Sequence, residues 1–468
     1  VARTDLDLIF GEDSKGNTPE ERSSTSSVRF VRSQDELAFH TSHATGVTLT
    51  AKEALAVFGY ERLRDVALEG SAILARDLNE PSRTLRKRRE SLGITVEQLA
   101  KRTGLEVMVV EAAELRRSRT PIRVLNKIAI GLGLDECSLT FTPGARGDDK
   151  LAYRLRSWAE SELSTKDRLT FCEASWVIAT QQRLQEWLEP EKNPRAEFNP
   201  SSNYGSSDYR VYDHADYLAH KTRELLGYGA DQPIDSMREV CSRLGIPLIR
   251  AELSPTIAGA TVANNAMRGI IVNSFTSANN NVLVQRATVA HELGHLLWDP
   301  DEELNSLVVD GYDQIEDTRR EGGFVEARAN AFAVEFLAPK EALRAASTVQ
   351  VPDRFDIKEL GSTLIDRFGL SATAMKFHLW NAFDRVYERE ETQFQSTPSE
   401  WEGREGYGDY YFPIATTRDL RRGAFAGFVV RAERQGWLTS DTAAEYLNTD
   451  VNTYEAKRDN ILDMFPVE

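Results

Sequence analysis

Residues Arg286–Trp298 read RATVAHELGHLLW, and the reading of HELGH inside this stretch decides the fold. An α-helix turns 3.6 residues per cycle, so His291 and His295, four positions apart, stand on one face and about 6 Å apart along the axis. Two neutral imidazoles so placed can reach one ion. Such ligands suit Zn²⁺, and a catalytic zinc takes three protein ligands and leaves a fourth position for water. Glu292, directly after the first histidine, then stands where a carboxylate can take the proton of a water whose pKa is lowered toward about 7. The competing reading is an ordinary buried helix with two histidines. Ala287, Val289, Ala290, Leu293, Leu296 and Leu297 make the surroundings apolar. Two histidines without partners in such a helix would carry unmet hydrogen-bonding demands, which favours the metal.

A third ligand is required. Asp299 or Asp301 would serve if the helix broke soon after His295, but the extended motif breaks at a glycine three residues after the second histidine, and Trp298 occupies that position. The better candidate is Glu326 in GGFVEARANAFAVEFLAP. Glu326, Ala329 and Ala333 share a face at i, i+3 and i+7, and the small residues let that face approach another helix. Gly294, costing about 1 kcal/mol relative to alanine inside a helix, fits the same close contact. The expected cofactor is one Zn²⁺ per chain.

Working outward, 468 residues exceed a single core, and lengths of about 100–200 residues per domain imply three or four units. The net charge of −16 argues against indiscriminate nucleic-acid binding. Cys137, Cys172 and Cys241 lie far apart and form no CxxC pair, which argues against a disulfide framework or thiolate metal site. No run reaches the roughly 18 apolar residues of a membrane span, and VARTDLDLIFGEDSKGN lacks the features of a secretory or transit signal, so a cytoplasmic protein without membrane partners is expected.

The expected architecture is multidomain and mainly α. A small helical domain precedes an α+β zincin-like metallopeptidase domain with a small β-sheet, and a helical C-terminal segment follows. Residues 1–35, rich in polar residues, read as a flexible tail. A helical region spans 36–150, a helix and linker 151–210, the catalytic domain 211–385, and a linker with the C-terminal helical segment 386–468. Within the catalytic domain, GIPLIRAEL reads as a strand, and AGATVANNAMRGIIVNS as a hairpin turning at Asn264-Asn265. Its second strand, Gly269, Ile270, Ile271, Val272 and Asn273, is a candidate substrate-binding edge, because exposed strand edges bind extended peptides through backbone hydrogen bonds; an interior strand is the equal alternative. The acidic stretch 299–323 reads as a loop, with a lid or substrate guide as alternatives. Tyr312 and Arg328 are weak candidates to assist an oxyanion, and His378 reads as a satisfied core histidine.

The motifs LGIPLIRAELSPTIAGATV, GIIVN, TVAHELGHLL, EARANAFAVEFLAP and DIKELGSTLIDRFGLSATAMKFHL, in this order, resemble the ImmA/IrrE family of zinc metallopeptidases over about Asp213–Ala382. The resemblance implies zinc ligands at His291, His295 and Glu326 and a catalytic acid/base at Glu292. The long acidic stretch 299–323 departs from it.

Upstream, residues 83–134 divide into four short helical segments at Gly93, Gly104 and Ser118–Pro121. In QLA, Gly104, Val110 and Glu114 they resemble the helix-turn-helix of XRE-family regulators. Arg86, Lys87, Arg88, Arg116 and Arg117 offer phosphate contacts. Where base-reading side chains belong, this chain instead has Glu106, Val107, Met108 and Val109. Val107 and Met108 offer a protein-contact patch in place of base readout. Two functions follow. The first is a zinc endopeptidase of a bacterial or phage-derived regulatory or defence system, cutting a repressor or similar regulatory protein recruited by the upstream helices. The second is a DNA-binding regulator or toxin–antitoxin component whose metal domain is a sensor or scaffold. Expected partners are a protein substrate, DNA through the helix-turn-helix, and a second copy in a homodimer.

Overall fold

The computed structural model describes residues 5–32, 46–72, 74, 79–115, 120–134, 163–190, 210–264, 267–273, 281–299, 308–311, 323–348, 357–383, 394, 398–405 and 411–465. The chain forms two compact units, Val1–Glu189 with Phe412–Glu468, and Pro190–Tyr411. Among the described residues it is mainly helical, with two small sheets.

The first unit begins with α1 (Asp5–Phe10), α2 (Pro19–Thr25) and β1 (Arg29–Arg32), followed by β2 (Val47–Thr50) and α3 (Ala51–Glu69). Residues 5–32 thus carry regular structure where the polar composition suggests a tail. Helices of six or seven residues are too short to show a periodicity, but Ile9 and Phe10 are buried, and a capping box between Thr18 and Glu21 starts α2. Strand β1 pairs antiparallel with β2, from Arg29 opposite Thr50 to Arg32 opposite Val47. Then come α4 (Ser82–Ser91), α5 (Val96–Thr103), α6 (Val107–Ala113), α7 (Ile122–Gly131) and α8 (Thr165–Leu188). Thr95 and Gln98 cap the start of α5, and Gly104, with φ of 66°, closes its end in the left-handed conformation that glycine tolerates.

The second unit holds α9 (Val211–Leu225), α10 (Met237–Arg243), β3 (Leu248–Ala251), β4 (Ile257–Asn264), β5 (Met267–Asn273), α11 (Val282–Trp298), β6 (Val308–Gly311), α12 (Gly323–Leu337), α13 (Lys340–Thr348), α14 (Ile357–Phe368), α15 (Ala372–Ala382) and α16 (Pro398–Glu405). The chain then returns to the first unit with α17 (Ala424–Arg434), α18 (Ser440–Tyr446) and α19 (Val451–Met464).

These last helices are therefore part of the core of the first unit and not a separate C-terminal segment. Trp176 on α8 meets Phe425 and Tyr446 edge-on, with ring centroids 6.0 and 5.2 Å apart. Beside it Glu173, 1% exposed, accepts from Arg421 Nε at 2.8 Å and Arg418 at 2.5 Å, and pairs with Arg102 of α5 at 2.8 Å. Burial opposes ionisation of this carboxyl, but Arg421, Arg102 and Arg418 outweigh it and bring its pKa down to about 2. One ion cluster thus joins α5, α8 and the turn before α17.

In the second unit the sheet order is β3-β5-β4-β6. Strand β5 runs parallel to β3 and antiparallel to β4, with Asn264 opposite Met267 at the hairpin end. Ile270, Ile271 and Val272 therefore lie inside the sheet with paired strands on both sides, Gly269 pairs with β4 and Asn273 with β3, and all five are buried. They present no edge to a substrate, so of the two sequence readings the interior strand holds and the substrate-binding edge does not. An apolar, β-branched run reads alike for an interior strand and a covered edge. Asn273 instead donates from its amide to the carbonyls of Ser254 and Ile257, at 3.1 and 2.8 Å, and pins the β3–β4 connection. Most of the acidic stretch 299–323 lies outside the described residues. The part that is described supplies β6, antiparallel to β4, with Thr261 opposite Val308.

Helix α11 crosses this sheet, and every residue from Thr288 to Trp298 is buried. Its anchor is Arg286, fully buried, which forms a short ion pair with Glu405 of α16 and lies 4.1 Å from the Trp401 ring centroid. Glu405 also accepts from the Met237 backbone N–H at 3.0 Å and from Ser236 Oγ at 3.0 Å, at the start of α10. A buried charge survives only when paired and hydrogen-bonded, and here one carboxylate satisfies a guanidinium and a helix start together.

Candidate metal centre

His291 and His295 project from α11 toward the first turn of α12, where Glu326 stands. Gly294 makes the approach possible, since a Cβ there would lie 2.8 Å from Phe332 Cδ1 on α12. Ala329 and Ala333, 2% and 3% exposed, fill the same contact. Phe332 is buried and stacked on Phe336, so it has little room to yield. Gly294→Ala is expected to cost up to about 2 kcal/mol, because overpacking of about 1–3 kcal/mol is offset only in part by a helix-propensity gain of about 1 kcal/mol. Urea unfolding measures it, and a stabilised variant would contradict the tight contact.

The ligand atoms converge. His291 Nε2 lies 3.1 Å from His295 Nε2 and 3.3 Å from Glu326 Oε2, while His295 Nε2 lies 3.7 Å from Glu326 Oε1. Tetrahedral zinc with bonds of about 2.0–2.1 Å separates its ligands by about 3.3–3.4 Å, in the middle of these distances. These three residues are the only group of metal-ligand side chains found among the described residues.

The outer ring atoms explain why the inner ones need a cation. His295 Nδ1 donates to Asp299 Oδ2 at 2.7 Å, and His291 Nδ1 donates to Asn330 Oδ1 at 2.9 Å. With the proton held at Nδ1 on both rings, both Nε2 atoms are bare acceptors. They face each other and a carboxylate in a buried site. Three acceptors at such distances repel one another unless a cation sits among them. The donor set fits one Zn²⁺.

Residues 241–379 match the family model of the IrrE N-terminal-like domain, Peptidase_M78. No curated protein matches the chain. The family match supports an ImmA/IrrE-type metallopeptidase domain in this region and suggests zinc as its ion. The matched segment contains His291, Glu292, His295 and Glu326. It stops short of α16, whose Glu405 holds Arg286 of α11. The match does not extend to the helices of the first unit.

Several residues around the IrrE-like centre have roles that the sequence reading did not give them. Asp299 is no ligand. It caps α11, its N–H donating to the His295 carbonyl, and its carboxylate orients His295 while forming a short ion pair with Arg328. Arg328 is thereby committed to Asp299 and positions a ligand indirectly. Asn330, four residues after Glu326, performs the same service for His291; the i, i+4 spacing was the signal available in sequence. His378 is buried and donates to the Ala338 carbonyl at 2.7 Å, as a core histidine does. Asp301 and Tyr312 lie outside the described residues.

Glu292 is fully buried and faces β4, where Thr261 Oγ1 lies 2.5 Å from its Oε2. In the first unit Arg86 and Lys87 are exposed, with Arg86 paired to Glu90 at 2.9 Å. Arg88 is not available for contacts. It follows Leu85 by three residues on the inner face of α4, is 5% exposed, and donates from Nε to the Leu132 carbonyl at 3.0 Å. Val107 and Met108 are 36% and 73% exposed at the start of α6. Arg116 and Arg117 lie outside the described residues. No helix among the described residues is long and apolar enough to cross a membrane.

Proposed function

We propose that the chain is a zinc endopeptidase that cuts a regulatory protein, such as a transcriptional repressor, in a bacterial or phage-derived regulatory or defence system. The observation that carries the reading is the convergence of His291 Nε2, His295 Nε2 and Glu326, with the buried Glu292 next in the chain after the first histidine. A zinc ion bound by the three ligands would polarise a peptide carbonyl and lower the pKa of water toward about 7. Glu292, one residue from the first ligand, takes the proton of the attacking water and returns it to the leaving amine. The buried walls of the site strengthen each of these electrostatic interactions. Asp299 and Asn330 keep the imidazoles turned with Nε2 inward throughout.

In this reading the helices α4–α7 recruit the target. Their exposed Val107 and Met108, flanked by the exposed acids Glu106 and Glu111, favour a protein surface over DNA, because carboxylates near phosphates are repulsive. Treatment with a chelator is expected to abolish cleavage of an internally quenched peptide library, and added Zn²⁺ to restore it. Cleavage that survives complete metal removal would contradict the proposal. Gel shifts with duplex DNA across salt concentrations test the alternative regulator. Steep salt-dependent binding would favour DNA as the partner of the helices.

A further inference from the structure

We propose that Thr261 is a positioning residue for the reaction, holding the Glu292 carboxylate from the neighbouring strand. The inference rests on the peptidase reading of the site. His291 and His295 face α12, whereas Glu292 faces the sheet, and the sheet residues it meets are Thr261 and Gly259 of β4. Thr261 Oγ1 donates to Glu292 Oε2 at 2.5 Å, and both residues are fully buried.

The hydroxyl has little freedom to leave. A β-branched side chain has restricted χ1, and the backbone at Thr261 is fixed by β5 on one side, opposite Ile270, and β6 on the other, opposite Val308. Two residues earlier on the same face of the strand stands Gly259. A Cβ there would lie 2.8 Å from Glu292 Oε1 and 2.8 Å from Thr288 Cγ2, so the missing side chain is the space the second carboxylate oxygen occupies. The Gly-Ala-Thr sequence of β4 thus combines a gap for one oxygen with a donor for the other. A glutamate has three rotatable bonds, and without the donor it would spend less of its time where it can reach the attacking water.

The test uses the zinc-loaded full chain and acetohydroxamic acid, which gives up a proton to a neighbouring base as it chelates a metal. Calorimetry reads its affinity, which depends on where Glu292 stands and needs no substrate. Thr261→Val, of the same shape but without the donor, is expected to weaken binding about tenfold or more with zinc content unchanged, and Thr261→Ser to restore it. In a Glu292→Gln background Thr261→Val should add no further loss. On an internally quenched peptide library the valine variant should lose kcat about 10- to 100-fold with KM unchanged. Wild-type affinity in Thr261→Val, or an equal loss in the Glu292→Gln background, would overturn the proposal. A zinc-loaded wild-type protein that cleaves no peptide would instead contradict the peptidase reading, while the hydroxamate comparison would still decide the role of Thr261.

Discussion

Glu292→Gln is expected to lower peptide hydrolysis by about 10²–10⁴-fold while leaving zinc in place. Glutamine keeps the shape of the side chain and an amide oxygen for the Thr261 hydroxyl, so the packing between α11 and β4 survives. What it removes is the carboxylate that accepts the water's proton. Metal retention follows because Glu292 contributes nothing to the cluster of His291, His295 and Glu326. The pair of measurements is kcat/KM on a cleaved peptide and zinc per chain by mass spectrometry. Unchanged hydrolysis would remove Glu292 from the role of general base, and an unchanged cellular phenotype of the inactive variant would return the metal domain to the role of sensor or scaffold.

Glu173→Gln is expected to destabilise the first unit by about 3–5 kcal/mol, since it leaves the guanidiniums of Arg102, Arg418 and Arg421 around a neutral group. The effect carries a pH signature. The carboxyl's pKa is about 2 in the folded chain against an ordinary 4.5, so its stabilisation is fully present above 4.5 and is lost as the pH falls toward 2. The difference between these values corresponds to about 3 kcal/mol. Urea unfolding should therefore show wild type and variant far apart at pH 7 and converging as the pH drops below 4.5. A gap that stays constant down to pH 2.5 would mean that the cluster stabilises by shape and not by charge.

The metal centre was legible because its information is local. The i, i+4 spacing of His291 and His295 and the small-residue face of Glu326, Ala329 and Ala333 need only the helical repeat to be read, and Asn264-Asn265 announces the β4–β5 hairpin one residue early, since β4 runs through Asn264. The buried side of α4 was equally available in Leu85, Arg88 and Leu92, but counting positive charge put Arg88 on the surface. Other features depend on tertiary contact. Whether β5 is edge or interior is decided by β3 and β4 pairing on its two sides, which its own residues do not encode. Glu405 reaches Arg286 across a separation of 119 residues, and Glu173 meets Arg418 across 245. The hydroxyl on Glu292 belongs to a strand that ends before α11 begins, so no motif around HELGH announces it. Helices α1 and α2 are hidden by their brevity.

The central claim is that two imidazoles and the Glu326 carboxylate hold a single zinc ion, and the most direct measurement is the zinc content of the gently purified full chain beside its Glu326→Gln variant. One zinc per wild-type chain is predicted, with a variant that surrenders its metal to a chelator at far lower concentration. A wild-type chain that neither carries nor takes up zinc, or a variant that binds it just as tightly, would contradict the account.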